Sequence, residues 1–204
     1  MPQLTATITT LAKGGLVMIP LLVCSVLSLS VVIERWGFWW RRRDAAAAER
    51  ALRLAVHGKF DEAAEVAGAS RAPGARVIAV GLSHRDNGAG QAMELAAQEE
   101  LALARRYLPV LDTVITLSPL LGLLGTVTGM ITAFGVLSAS GMNQPSAITG
   151  GVAEALIATA VGLAIAIGTL VPYNYFSAKV ERAAENMERC GSRIEQVLAE
   201  HEIP

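Results

Sequence analysis

Charge is what this chain of 204 residues lacks: 17% of it is charged, against about 25% in ordinary soluble domains. The deficit is concentrated. Residues 113–178 hold one charged side chain, Glu154, and residues 14–33 hold none. The net charge of -1 excludes a broad basic footprint, so nucleic acid is not an expected partner. Two cysteines, Cys24 in an apolar run and Cys190 in a polar tail, give neither a disulfide framework nor a zinc site. His57, His84 and His201 lie far apart in polar stretches and read as surface residues, not as ligands or a proton relay. The sequence offers no nucleophile–base–orienter set, phosphate loop or metal-ligand cluster, so an enzyme has little support and no cofactor or metal is expected. The glycines from Gly122 to Gly129 do not form a dinucleotide loop, because no strand precedes them.

What the chain has in abundance is apolar length: 52% of it is hydrophobic and its mean hydropathy is +0.44. A bilayer core is crossed by about 20 apolar residues in a helix. A first uncharged run, Gly14 to Ile33, meets that length and continues to an aromatic flank at residue 40. It does not read as a signal peptide, since only Lys13 precedes it and Glu34-Arg35-Trp36 follows in place of a small-residue cleavage site. A lipoprotein reading at Cys24 fails because Val23 is not small. The second uncharged stretch is long enough to cross twice and must turn once. Its turn signals run from Ser138 through Gly141, Asn143 and Pro145 to Ser146. This places a second span near Leu111–Leu137 and a third near Thr149–Phe176.

The expected organisation is all-α and multi-pass. It comprises an outer segment 1–13, spans at 14–40, 109–138 and 149–177, an inner loop 41–108, an outer turn 139–148 and a C-terminal helix 178–204. Lys and Arg placement sets the direction. Arg41, Arg42 and Arg43 follow the first span, Arg105 and Arg106 precede the second, and Lys179 and Arg182 follow the third. Asp112 marks the inner edge of the second span. The turn carries no basic residue, so the N-terminus is expected outside and the C-terminus inside. Trp36, Phe38, Trp39 and Trp40 sit where an inner aromatic belt belongs.

The loop reads as helical. Asp44 is a candidate N-cap for a helix stopped at Gly58, residues 59–67 form a second helix, and breaks follow at Arg71-Ala72-Pro73-Gly74 and at residues 86–90. Residues 91–107 carry strong helix formers and are expected to run straight into the second span. In the tail, Val180, Ala183 or Ala184, Met187, Ile194, and Val197 or Leu198 fall at helical spacing. They predict a helical collar packing on itself or on a neighbouring copy.

Within the spans, small and hydroxyl residues recur every three or four positions. Pro119, Gly122, Thr126, Gly129 and Ala133 form one stripe. Gly151 or Val152, Ala155, Thr159, Gly162, Ala166, Thr169 and Tyr173 form another. Two readings stand beside each other. Such stripes allow close helix packing in lipid, with each threonine bonded to its own helix. Alternatively they line a central polar space. Glu154 favours the second reading, because intramembrane acids usually face a bundle interior or water; a snorkelled residue near the span end is its alternative. The spans hold no Lys, Arg or His to pair with Glu154, so a second ionisable group from a partner chain is inferred. Pro119 can kink or open the second span.

Two segments, Ser118-Pro-Leu-Leu-Gly-Leu-Leu-Gly-Thr-Val-Thr-Gly-Met130 and Gly150-Gly-Val-Ala-Glu-Ala-Leu-Ile-Ala-Thr-Ala-Val-Gly-Leu163, closely resemble the signature pair of the ExbB/TolQ/MotA proton-channel family. Glu34-Arg35 and Tyr173-Asn174 resemble it as well, and three spans are similar to its ExbB/TolQ branch. The resemblance implies an oligomeric bundle: a homopentamer around a dimer of a single-span ExbD/TolR-type partner that carries an aspartate in its span. It implies a molecular motor in the bacterial inner membrane, with protons as coupling ion, passing work to a TonB- or TolA-type effector. It also implies that Thr126 and Thr159 face the partner's aspartate and that Glu154 lines the same path. Thr128 departs from the family, which often has Trp there.

The resemblance thus favours an ion-driven subunit energising TonB-type import, with a TolQ-like role in envelope maintenance and division as alternative. A passive scaffold that assembles a partner is the competing class. A substrate transporter has less support, since three unequal spans do not form inverted repeats.

Overall fold

The computed structural model describes residues 15–140 and 145–202. They form seven helices and no strand: α1 (Met18–Trp40), α2 (Ala45–Val56), α3 (Phe60–Gly68), α4 (Pro73–Ser83), α5 (Ala89–Arg105), α6 (Leu108–Ser140) and α7 (Pro145–Glu202). Three stretches, Met18–Trp40 and windows within Ala89–Gly135 and Thr149–His201, are long and apolar enough to cross a membrane. The outer-segment residues through Gly14, with Lys13, and the turn residues Gly141–Gln144 lie outside the described residues.

The chain divides into two compact units. One comprises Met1–Val32 with Tyr107–Asn174, and so holds the greater part of each span. Its helices leave Leu22, Val23, Leu29, Leu120, Leu123, Ile167 and Val171 exposed. In water such a surface would be a liability. Hydrocarbon is as apolar as leucine, so for a spanning helix it is the ordinary lipid-facing surface.

The other unit comprises Ile33–Arg106 with Tyr175–Pro204. Its core is alanine-rich. Ala47, Ala51 and Ala55 recur every four residues along α2, and Ala63 and Ala67 continue the pattern in α3. Methyl side chains let these short helices approach closely, while Ile78, Leu82, Met93, Met187 and Ile194 supply most of the apolar area. Full burial of such a side chain is worth about 1.5–3 kcal/mol. The tail residues Val180, Met187, Ile194, Val197 and Leu198 are buried as their spacing predicts. The collar therefore packs within its own chain.

Three local readings need correction. Asp44 occupies the position before α2 but makes no cap hydrogen bond. Its ψ of 67° is outside the extended region a cap requires, and its carboxylate pairs with Arg50 instead, at 3.5 Å. Second, α5 does not run straight into α6. Arg106 is extended and Tyr107 adopts a φ of +68°. Pro109 explains the break, because it has no N–H for the carbonyl of Arg105 and its ring would strike that carbonyl in a continuous helix. Third, the third span and the tail are one helix of 58 residues. Between Phe176 and Val180 the sequence is Ser-Ala-Lys, with no glycine or proline to end it. By contrast, the stop expected at Gly58 is present: α2 ends at Val56 and Gly58 has φ +74°.

Candidate functional site

The two small-residue stripes meet each other inside this chain. A methyl group added at Gly122 would lie 2.9 Å from the Thr159 Cα and 3.1 Å from the Ala158 carbonyl oxygen. One added at Gly129 would lie 2.8 Å from the Ala155 Cβ and 3.0 Å from the Gly151 oxygen. At Gly162 it would strike the Ser118 carbonyl. Ala133, Ala155, Ala158 and Ala166 are buried. The glycines are thus spaces into which the facing backbone fits, the arrangement by which helices associate in lipid. Gly122, Gly129, Ala155, Gly162, Ala166 and Thr169 are all closed in the chain's own interior. Pro119 and Tyr173 are half-buried at the edges of the stripes.

The threonines divide by what their hydroxyls bond. Thr159 Oγ1 donates across the seam to the Gly122 carbonyl at 2.8 Å. Gly122 has no side chain, so nothing screens that oxygen. Thr126 Oγ1 donates within its own helix to the Leu123 carbonyl at 2.6 Å. Thr126 lies one turn beyond Gly122 on the same stripe and also lines an open groove with Val127, Met130 and Phe134. Both hydroxyl protons are therefore held by backbone carbonyls. What each oxygen still presents is a lone pair, which can accept from a protonated acid. Thr128 bonds the carbonyls of Leu124 and Gly125 and is exposed on α6.

Glu154 is not brought to these threonines. Five residues separate it from Thr159, a rotation of about 140° between their directions around an α-helix. Its carboxylate instead lies against Gly15, just before α1, where an added methyl would collide with Oε1. Gly15 has φ +71°, a conformation glycine adopts freely. Glu154 is half-buried and makes no hydrogen bond or ion pair among the described residues. Ser28, which the sequence reading passed over, bonds Thr169: their hydroxyl oxygens are 2.7 Å apart and both residues are buried. Thr169 also donates to its own helix at Ile165. The periodic serines Ser25 and Ser28 in the first span were the available signal.

The basic flank is built more specifically than a charge count suggests. Arg35 is 2% exposed. Its guanidinium donates to the Leu103 carbonyl at 2.9 Å and the Ala104 carbonyl at 3.3 Å. Both carbonyls belong to the last turn of α5, where helix carbonyls run out of intrahelical donors, and a cation at a helix C-terminus is favoured by the dipole. Glu34 holds the other edge of the guanidinium, at 2.5 and 2.8 Å, and Phe38 lies beneath it at 4.3 Å. Arg42 pairs with Glu100, which also meets Arg76 at 3.1 Å. Glu100 is a buried acid held by two guanidinia, and sequence reasoning missed it. It sat within Gln98-Glu99-Glu100, which looks like a solvated face. Its signal was register: it falls seven residues after Met93 and four before Ala104, both buried. Arg41, Arg43, Arg105, Arg106 and Asp112 are exposed, with Arg43 over the Trp40 ring at 4.6 Å.

The geometry defines an all-α, multi-pass membrane protein whose spans close on a small-residue seam crossed by a threonine hydrogen bond. Residues 69–189 match the MotA/TolQ/ExbB proton channel family, and the chain belongs to that family. The ExbB-like 3 biopolymer transport protein of Synechocystis sp. is 34% identical over 191 residues, 90% of this chain and 91% of that protein. The Tol-Pal system protein TolQ of Haemophilus influenzae is 42% identical over 93 residues, 46% of this chain and 41% of that protein. The biopolymer transport protein ExbB of Salmonella typhimurium is 26% identical over 178 residues, covering 80% and 72% of the two chains.

Proposed function

We propose that this chain is the multi-pass subunit of a proton-driven inner-membrane motor, with its N-terminus outside and its C-terminus inside. It works as a homo-oligomer, a pentamer by family resemblance, around an ExbD/TolR-type single-span dimer. The observation that carries this reading is the isolation of Glu154: residues 113–178 hold no other ionisable charge, and none of the described residues pairs with it. A proton path of one copy alone is incomplete, and an acid on a partner's span completes it. When that acid is protonated its O–H donates to the Oγ1 lone pairs of Thr126 and Thr159, and the seam behind them sets their position. Glu154, on the flank near the start of α1, shapes ion entry. A proton crossing 100 mV releases about 2.3 kcal/mol, which is usable work only where unpartnered leak is blocked.

The work is passed to a TonB-type effector for outer-membrane import. A TolQ-like role in envelope maintenance is the second reading, favoured by the 42% identity to a TolQ over the segment that matches. The scaffold reading rests on the same seam with no ion flux. Replacing the resident copy with a Thr126→Val variant separates motor from scaffold. The motor reading expects an assembled complex with energised import or constriction lost. Normal energised work in that variant would overturn the assignment. Glu154→Gln is expected to lower activity in a manner that depends on external pH, and full activity at every pH would remove Glu154 from the path.

A further inference from the structure

We propose that the unit containing Arg41 and Arg71 holds a binding site for the phosphate headgroup of an anionic phospholipid. A cavity of about 850 Å³ opens there. One wall is the last turns of α1 and the residue after it, where Ile33, Gly37 and Arg41 follow one another at four-residue spacing. Facing residues include Arg71 before α4 and Arg76 within it, and Arg42 completes a set of four guanidinia. Two of the four are committed, since Arg42 and Arg76 are both held by Glu100. Glu34 also lines the cavity, with its carboxylate spent on Arg35. Arg41 and Arg71 are exposed and make no ion pair among the described residues. The cavity therefore presents two available guanidinia, and guanidinium recognises phosphate through paired N–H donors.

The apolar surroundings decide the source of the phosphate. Ile33 is 64% exposed, and Trp36 and Trp40 on the same stretch of α1 are 52% and 61% exposed. An uncharged run ends at Ile33 and Arg41 follows eight residues on, about two helical turns, so the cavity joins hydrocarbon-compatible surface to cationic surface. That is the profile of a lipid, with acyl chains beside α1 and headgroup among the arginines. Basic pockets at the inner ends of spanning helices bind anionic headgroups on this principle. Gly37 keeps the wall open, since a Cβ there meets nothing within 4 Å.

The test is lipid retention by the delipidated full-length protein in neutral detergent, read by native mass spectrometry. The probes are phosphatidylglycerol, phosphatidylcholine and soluble glycerol phosphate. Saturable binding of phosphatidylglycerol, with phosphatidylcholine not retained, is expected. The Arg41→Gln/Arg71→Gln variant is expected to lose affinity on the order of thirtyfold, from the attraction per basic residue near an anionic surface. Gly37→Leu fills the wall without changing charge and is expected to lose affinity as well, which guards against a folding defect in the arginine variant. Unchanged phosphatidylglycerol affinity in both variants would overturn the site. Glycerol phosphate binding as tightly as the lipid would assign the guanidinia to a soluble anion and overturn the lipid. The readout is independent of proton flux, so failure here leaves the motor reading untouched.

Discussion

Adding one methyl group at Gly122 should open the seam on which the proposed path depends. In Gly122→Ala the new Cβ would lie 2.9 Å from the Thr159 Cα and 3.1 Å from the Ala158 oxygen. Both are backbone atoms and neither can rotate away, so the helices must separate. Overpacking of this kind costs about 1–3 kcal/mol. Separation also stretches the Thr159–Gly122 hydrogen bond, worth about 0.6 kcal/mol between membrane helices. The alanine recovers at most about 1 kcal/mol of helix propensity, so a net loss of about 0.5–2.5 kcal/mol is expected. Gly135→Ala on the same helix is the control, because its Cβ meets nothing within 4 Å; it should be neutral or stabilising. The assay is reversible unfolding in mixed micelles titrated with a denaturing detergent and followed by helical circular dichroism. Gly122→Ala as stable as Gly135→Ala would refute the reasoning.

Arg35→Gln removes the group that caps Leu103 and Ala104, and should destabilise by about 1–3 kcal/mol; faster amide exchange confined to the end of α5 would report it, and Arg35→Lys should rescue poorly because a compact ammonium cannot span both carbonyls and the carboxylate. Cys190 is 1% exposed, and burial pushes its thiol above the ordinary range despite the lowering effect of Arg189 and Arg193. Alkylation by iodoacetamide at neutral pH should therefore be much slower than for a free thiol. The sign for stability follows: the unfolded thiol ionises first, so the contribution of Cys190 is intact below its unfolded pKa and is lost as pH rises through the folded one.

Much of the fold was legible because membrane and helix signals are local. Uncharged length placed the spans, spacing placed Met187 and Ile194 in the core, and Gly58 marked a stop. Where the reading failed, a longer-range or stereochemical term decided. Pro109 broke a run of strong helix formers. At Asp44 the backbone, not the side-chain type, determined whether a cap forms. The stripes were visible as patterns, but a pattern cannot say whether a small face meets a pore or another helix; the structure places Gly122 and Gly129 against Thr159 and Ala155 in the chain's own seam. Glu100 was hidden because its neighbours in sequence are polar while its neighbours in register are buried. Arg35 was visible only as half of the Glu34-Arg35 pair, and nothing local to it in sequence points to the carbonyls of Leu103 and Ala104, 68 and 69 residues away, that it holds.

Proton flux into liposomes under an imposed potential, read by a pH-sensitive dye, tests the central claim most directly. This chain is reconstituted alone and then with a single-span partner that carries an intramembrane acid, each with and without Thr126→Val. Thr126 is the informative position because its hydroxyl bonds only its own helix, so valine leaves the seam intact. The account predicts flux that requires the partner and is abolished by Thr126→Val. Flux of equal size in the valine variant, or no flux from an intact complex, would contradict it.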